Sequence, residues 1–137
     1  MSYSTALELF GMVILTFCIA PLVLYARVKQ VSAGNLKIEF FELYNGAGAP
    51  PDVTKTTRCL ANLFEMPTLF YVACLTTLFL EINSIWLAYL AWGYVIFRAA
   101  HALIHLTYNK VFPRLTVFMI SNLLLIAMWV IIIIQGT

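Results

Sequence analysis

Long apolar runs dominate the chain and set its expected architecture. There are four, from about residues 6 to 26, 56 to 80, 85 to 106 and 111 to 134. A helix needs about 20 apolar residues to cross the hydrocarbon core of a bilayer, so each run is long enough to span it. A membrane β-barrel requires alternating apolar and polar positions, and the stretch at 129–134 does not alternate. The pattern predicts an all-α integral membrane four-helix bundle that forms a single domain over residues 1–137.

The connections between the runs predict which helices are neighbours. Residues 81–84 and 107–110 are so few that the helices they join must lie side by side and antiparallel. Residues 28–55 form a longer loop, in which an aromatic and acidic stretch at 38–44 precedes turn formers and helix breakers from Asn45 to Asp52. We expect the stretch at 38–44 to lie at the membrane surface. No positive residue precedes the first run, so we interpret it as a retained helix rather than a signal peptide.

Positive charges predict the orientation of the bundle. The lysines and arginines outside the apolar runs, or at their ends, all fall on one side of a four-span arrangement: Arg27, Lys29, Lys37, Lys55, Arg58, Lys110 and Arg114. The positive-inside rule places that side in the cytoplasm. Both termini are therefore expected outside the cytoplasm.

Composition narrows the class of protein further. Hydrophobic residues make up 63% of the chain and charged residues 10%, whereas a soluble domain carries roughly 25% charge. These values exclude a soluble monomer, and they exclude disorder because disorder requires low hydrophobicity. A net charge of +2 does not indicate a nucleic-acid binder. The three cysteines lack CxxC spacing and predict neither a disulfide framework nor a zinc site.

Polar side chains recur inside the predicted spans at steps of three and four, which place them on one face of each helix. They are Arg58, Asn62 and Glu65 in the second helix, Arg98, His101 and His105 in the third, and Arg114 in the first turn of the fourth. Ionisable groups within a bilayer are costly and usually functional. All seven fall in the cytoplasmic half of the predicted bundle, so we expect a polar pocket that opens to the cytoplasm. Arginines pair with carboxylates and Glu65 could bind an amino group, so a small zwitterionic ligand of mainly anionic character would fit.

Alternative roles remain open for these residues. Arg58 and Arg114 could extend to lipid headgroups, and Glu65 could pair with Arg98 or Arg58 only to join helices. The two histidines could serve packing alone. Their HxxxH spacing also matches a metal-binding pair, but no further Cys or His is placed to complete a site, so no metal is predicted.

The segment Arg58–Pro67, with its Asn62, Glu65 and Pro67, together with Arg98-Ala-Ala-His101 and the later Arg114, resembles the MAPEG family (membrane-associated proteins in eicosanoid and glutathione metabolism). The resemblance is to a bacterial-type member and covers nearly the whole chain. It implies a homotrimer of four-helix subunits in a bacterial inner membrane, surrounded by lipid. It also implies that glutathione binds between neighbouring subunits, in the cytoplasmic half of the membrane.

The same resemblance implies an activity and roles for individual residues. The expected function is that of a glutathione-dependent transferase or peroxidase acting on lipophilic electrophiles. Arg114 corresponds to the arginine that stabilises the thiolate and is the expected catalytic residue. The residues expected to bind glutathione are Arg27, Arg58, Asn62, Glu65, Arg98, His101 and His105.

The chain departs from the family pattern at three positions. His105 and Phe118 stand where the family commonly has tyrosines, and Leu115 stands in place of a hydroxyl residue after Arg114. These differences favour an alternative in which the protein is a non-catalytic membrane scaffold or lipid-binding protein of the same fold. A small transporter or channel subunit is disfavoured, because the chain shows no inverted repeat.

Overall fold

A computed structural model describes residues 3–44 and 47–136. It contains four α-helices in these residues, with one short 3-10 helix at Ile38–Phe41 between the first two: α1 at Tyr3–Ser32, α2 at Pro51–Phe79, α3 at Ile85–Leu106 and α4 at Val111–Gly136. Each α-helix is long and apolar enough to cross a membrane. Asn45 and Gly46, which begin the predicted turn-forming run, and the C-terminal Thr137 lie outside the described residues.

The helix ends differ from expectation around the loop predicted at 28–55. The first helix continues to Ser32 rather than ending near 26, and α2 begins at Pro51 rather than near 56. Pro51 belongs to the run of predicted helix breakers, but at the first helical position a proline loses no hydrogen bond and its backbone angle already suits a helix. The Asp52 carboxylate also accepts a hydrogen bond from the Val53 N–H at 2.9 Å, which supports this helix start. By contrast, α3 spans the same residues that the sequence predicts.

The core lies along the axis of the bundle, where α3 packs most extensively on α4 and α1 on α2. Phe70 of α2 and Tyr94 of α3 are fully buried, and their rings stack with centroids 4.5 Å apart. Van der Waals packing of this kind holds membrane helices together, because lipid tails are as apolar as the side chains they replace.

One end of the bundle carries most of the positive charge, and we call it the basic end: the C-termini of α1 and α3 and the N-termini of α2 and α4, with Lys29, Lys55, Arg58, Lys110 and Arg114. Two contacts join helices here. Gln30 Nε2 of α1 donates to Asp52 Oδ2 of α2 at 2.8 Å. Lys55 Nζ of α2 donates to the carbonyl oxygens of Leu106 and Thr107 at 3.4 and 3.3 Å. A cation at these last carbonyls of α3 also complements the helix dipole.

Candidate polar ligand site

A cavity of about 400 Å³ lies between α2, α3 and α4 towards the basic end. Its volume falls within the roughly 300–1,000 Å³ of small-molecule sites. The lining is mostly polar on α2 and α3 and more apolar on α4: Arg58, Ala61, Asn62, Glu65, His101, His105, Val111, Arg114, Leu115 and Phe118. Six of the seven polar residues predicted to share a pocket therefore line this cavity. The seventh, Arg98, does not line it.

Arg98 lies behind the cavity wall and is fully buried. Its Nη2 donates to the backbone oxygen of Asn62 at 2.9 Å and also to the Asn62 side-chain Oδ1. The guanidinium carbon lies 5.6 Å from the centroid of the Phe118 ring. Nε and Nη1 are buried without a hydrogen-bond partner among the described residues. Arg98 therefore joins α3 to α2, holds Asn62 at the cavity wall and retains unused donors.

Glu65 and Arg58 are both exposed. Glu65 is the fifteenth of the 29 residues of α2, so it lies about 21 Å along the helix from its first residue. Among the described residues no ion pair joins it to Arg98 or Arg58, and the Arg98 guanidinium binds Asn62. The described residues therefore do not form the ion pair through which Glu65 could join helices.

A compact hydrogen-bonded group occupies the end of the cavity where α3 turns into α4. Arg114 Nη1 lies 2.6 Å from Asn109 Oδ1, and His105 Nδ1 lies 3.0 Å from the same oxygen. Arg114 Nη1 also approaches His105 Nδ1 to 3.3 Å. Asn109 adopts a left-handed backbone conformation with φ of 49°. Asparagine tolerates that conformation better than most residues do.

The two histidines form a row along α3. Both are buried except for the edges that face the cavity, and their ring centroids are 6.0 Å apart. His101 also contacts the Phe118 ring, with centroids 5.7 Å apart. Within residues 3–44 and 47–136, no group of three or more His, Cys, Asp or Glu side chains could hold a metal ion.

Arg27, the remaining residue expected to bind glutathione, lies apart from the cavity of its own subunit. Its guanidinium carbon lies 5.2 Å from the centroid of the Phe41 ring and 5.6 Å from that of Tyr44. The aromatic stretch expected at the membrane surface thus folds against the end of α1. Cation–π contacts of this kind are worth about 0.5–1 kcal/mol at exposed sites.

Sequence reasoning missed Asn109. It lies in a four-residue connection, where an asparagine is typical of a turn. The only signal for a site role was its distance of four residues from His105 and five from Arg114. The helical periodicity that identified the other residues does not extend across a turn.

A second, apolar cavity of about 510 Å³ lies between α1 and α2. Its lining is almost entirely hydrocarbon and aromatic: Leu9, Val13, Thr16, Phe17, Ala20, Phe64, Tyr71 and Leu75. Phe64 and Glu65 are adjacent in the chain, so the apolar and the polar cavity line neighbouring faces of α2.

Comparison with known proteins adds one finding about the whole chain. The family model described as "MAPEG family" matches residues 5–134, which include nearly all of the four helices. Comparisons with curated proteins and with solved structures give no match.

Asn62→Leu should destabilise the protein, because it removes a side-chain oxygen that accepts a hydrogen bond from the fully buried Arg98 guanidinium. Hydrogen bonds to charged groups contribute about 1.5–3 kcal/mol, and a loss in that range is expected in the free energy of unfolding. Reversible denaturation in one detergent, at one protein concentration, measures it. The matched control is Asn122→Leu, because Asn122 Oδ1 makes no hydrogen bond among the described residues. Equal losses in the two variants would contradict the role of Asn62.

Proposed function

Because the chain belongs to the MAPEG family and is an integral multi-pass membrane protein, we propose that it is a glutathione-dependent membrane enzyme of the transferase or peroxidase type, acting on lipophilic electrophiles. The family includes such enzymes and also non-catalytic members. The observation that carries the proposal is that Arg58, Glu65 and Arg114 line one cavity within helices that can span a membrane.

The chemistry of the cavity fits glutathione group by group. The tripeptide carries two carboxylates, one ammonium group, two amide bonds and a thiol. Arg58 and Arg114 supply guanidinium donors for the carboxylates or the thiolate of glutathione. Glu65 supplies a carboxylate for its ammonium group. The amide of Asn62 matches the backbone of a peptide ligand. The unused donors of Arg98, buried directly behind Asn62, add positive potential to the same wall.

Arg114 is the residue that we assign to the chemical step. A free thiol has a pKa of about 8.5, so only a small fraction is thiolate at neutral pH. Glutathione would supply the nucleophilic sulfur, and a guanidinium beside it favours the charged form. Asn109 binds only Nη1 of Arg114, and the other guanidinium nitrogens make no hydrogen bond among the described residues. They remain available to a ligand.

The apolar lining on α4 suits the second substrate. Val111, Leu115 and Phe118 face the polar wall across the cavity. A lipophilic electrophile dissolved in the membrane could therefore approach along hydrocarbon towards a thiol held beside Arg114. Leu115 and Phe118 are two of the positions that depart from the family pattern, and they lower the polarity of this wall.

The alternative is a non-catalytic membrane scaffold or lipid-binding protein of the same fold. The apolar cavity of about 510 Å³ between α1 and α2 is the observation that favours it. A cavity without charged groups can bind an acyl chain but offers no chemistry.

The proposal includes assembly into a homotrimer. Glu65 is exposed midway along a helix that can span a membrane, and a lipid-exposed carboxylate at that depth is costly. A neighbouring subunit would cover it, and closed rotational symmetry is the usual form of such assemblies. The choice of three subunits rests on the resemblance to the MAPEG family. We assign Arg27 to the cavity of a neighbouring subunit, since it does not reach its own.

The orientation is also part of the proposal. The basic end is assigned to the cytoplasmic face by the positive-inside rule. Cytosolic glutathione would then reach the cavity without crossing the membrane. We assign the protein to the bacterial inner membrane because the sequence resembles bacterial-type members of the MAPEG family.

The direct test of function is glutathione binding and turnover by the purified protein in lipid nanodiscs. Calorimetry should detect glutathione binding, and the protein should conjugate glutathione to a chlorinated aromatic electrophile or reduce cumene hydroperoxide. Arg114→Ala should lower turnover by about 10²-fold, the usual effect of losing one group that stabilises developing negative charge. Lys110→Ala, which removes an exposed cation four residues earlier, should retain activity.

Two outcomes would contradict parts of this proposal. Wild-type turnover in Arg114→Ala would remove Arg114 from the chemical step. Absence of glutathione binding by the wild-type protein would favour the lipid-binding alternative.

Assembly is tested through Glu65. Native mass spectrometry in mild detergent should show a trimer, and Glu65→Gln should raise the fraction of dissociated subunits. The same change should weaken glutathione affinity by about tenfold to a hundredfold, as expected when a charged hydrogen-bond partner is lost. Glu81→Gln, an exposed carboxylate between α2 and α3 at the opposite end of the bundle, should change neither property. A wild-type protein that is only monomeric would refute the trimer.

Orientation is tested with a reporter fused after Thr137. The proposed arrangement puts that terminus on the outer face, so a periplasmically active reporter should give signal and a cytoplasmic one should not. The reverse pattern would place the basic end outside and separate the cavity from cytosolic glutathione.

A further inference from the structure

The hydrogen-bonded group at the α3–α4 turn defines which atoms of Asn109 face its partners. An arginine side chain has only donors. The Asn109 atom 2.6 Å from Arg114 Nη1 must therefore be an acceptor, which assigns it as Oδ1 rather than the amide nitrogen. The same oxygen lies 3.0 Å from His105 Nδ1.

This assignment determines the protonation of the His105 ring. Two acceptors at 3.0 Å would repel each other, so Nδ1 must carry a hydrogen and donate it to Asn109 Oδ1. The longer contact of 3.3 Å between Arg114 Nη1 and His105 Nδ1 is then a contact between two donors and not a hydrogen bond. In a neutral ring with hydrogen on Nδ1, the lone pair is on Nε2.

The titratable and charged groups that share the cavity with His105 come from all three helices around it: Arg58 and Glu65 on α2, His101 on α3 and Arg114 on α4. A ring that accepts a proton from a ligand must be neutral before the ligand binds, and its lone pair must be accessible. The Nε2 atom makes no hydrogen bond within the described residues, and the side chain lines the cavity.

We propose that His105 accepts the proton of the thiol that binds in the cavity, and that Asn109 is the positioning residue that sets the His105 tautomer. The identity of the thiol as glutathione rests on the proposed function. In the step, the S–H bond breaks, its electron pair stays on sulfur, and the proton forms a new bond to His105 Nε2. The products are an imidazolium and a thiolate, so no net charge enters the cavity, and Arg114 stabilises the thiolate.

The backbone at Asn109 makes the positioning role testable without disrupting the fold. Its φ of 49° lies in the left-handed region, where glycine carries no steric penalty. Asn109→Gly therefore removes the acceptor and relieves backbone strain at once. Asn109→Asp keeps an oxygen that can accept from both partners. Glu81, with φ of 52° in the other short connection, offers Glu81→Gly as a matched control for the backbone effect.

The tautomer can be measured in the ligand-free protein by solid-state NMR of samples in lipid with ¹⁵N-labelled histidine. The chain has two histidines, and His101→Gln assigns the signals of His105. The expected result near neutral pH is a neutral His105 ring with hydrogen on Nδ1. Hydrogen on Nδ1 should be lost in Asn109→Gly and retained in Asn109→Asp and Glu81→Gly. An imidazolium, or a ring with hydrogen on Nε2, in the wild-type protein would overturn the inference.

Proton transfer is measured by the ultraviolet absorbance of bound thiolate and by turnover. Glutathione should still bind to His105→Gln, but the thiolate signal should fall and turnover should drop by about 10²-fold, a typical contribution of one general base. Equal thiolate signals in wild type and His105→Gln would overturn the role of His105 while leaving the proposed function intact. A wild-type protein that binds no glutathione would instead overturn the proposed function, and with it the thiol as proton donor, whatever the tautomer.

Discussion

Burial of a guanidinium inside a membrane-spanning bundle is the constraint on which the site depends. Arg98 is fully buried on α3, and a charge so placed is tolerated only with good hydrogen-bond partners. Asn62 on α2 supplies two oxygens to it. The contact sets the position of α2 against α3, and thereby the position of the polar face of α2 relative to the histidines. The Arg98 guanidinium joins two helices at the cavity wall, and its positive charge also favours an anion there.

The proposed trimer rests on what a single subunit leaves uncovered at this cavity. On the α2 side of the cavity, Glu65 lies exposed midway along a helix that can span a membrane, where lipid is a poor solvent for charge. The opposite side is closed by the α3–α4 turn, where Asn109 gathers His105 and Arg114 around one oxygen. The charges that we propose to bind the ligand are therefore exposed, and the groups suited to thiol chemistry lie together at the turn. This arrangement is the physical basis of the proposed ligand site between subunits.

Much of the fold followed from the sequence, because four apolar runs separated by short connections leave few arrangements, and the α3 bounds agree to the residue. The start of α2 did not, since Pro51 can either break or begin a helix and its partner Gln30 is distant in sequence. Helical spacing and matched depth placed six polar residues in one cavity, but they could not tell that Arg98 binds Asn62 instead of lining the cavity. Asn109 was beyond reach because its role depends on how a turn brings three side chains together.

The central claim is that the polar cavity at the basic end binds glutathione between subunits. An electron cryomicroscopy structure of the protein in lipid nanodiscs with saturating glutathione tests it most directly. The account predicts a symmetric trimer with tripeptide density in each cavity, its thiol beside Arg114 and His105 and its ammonium beside Glu65. Clear density for the cavity side chains without tripeptide, or glutathione bound elsewhere on the protein, would contradict it.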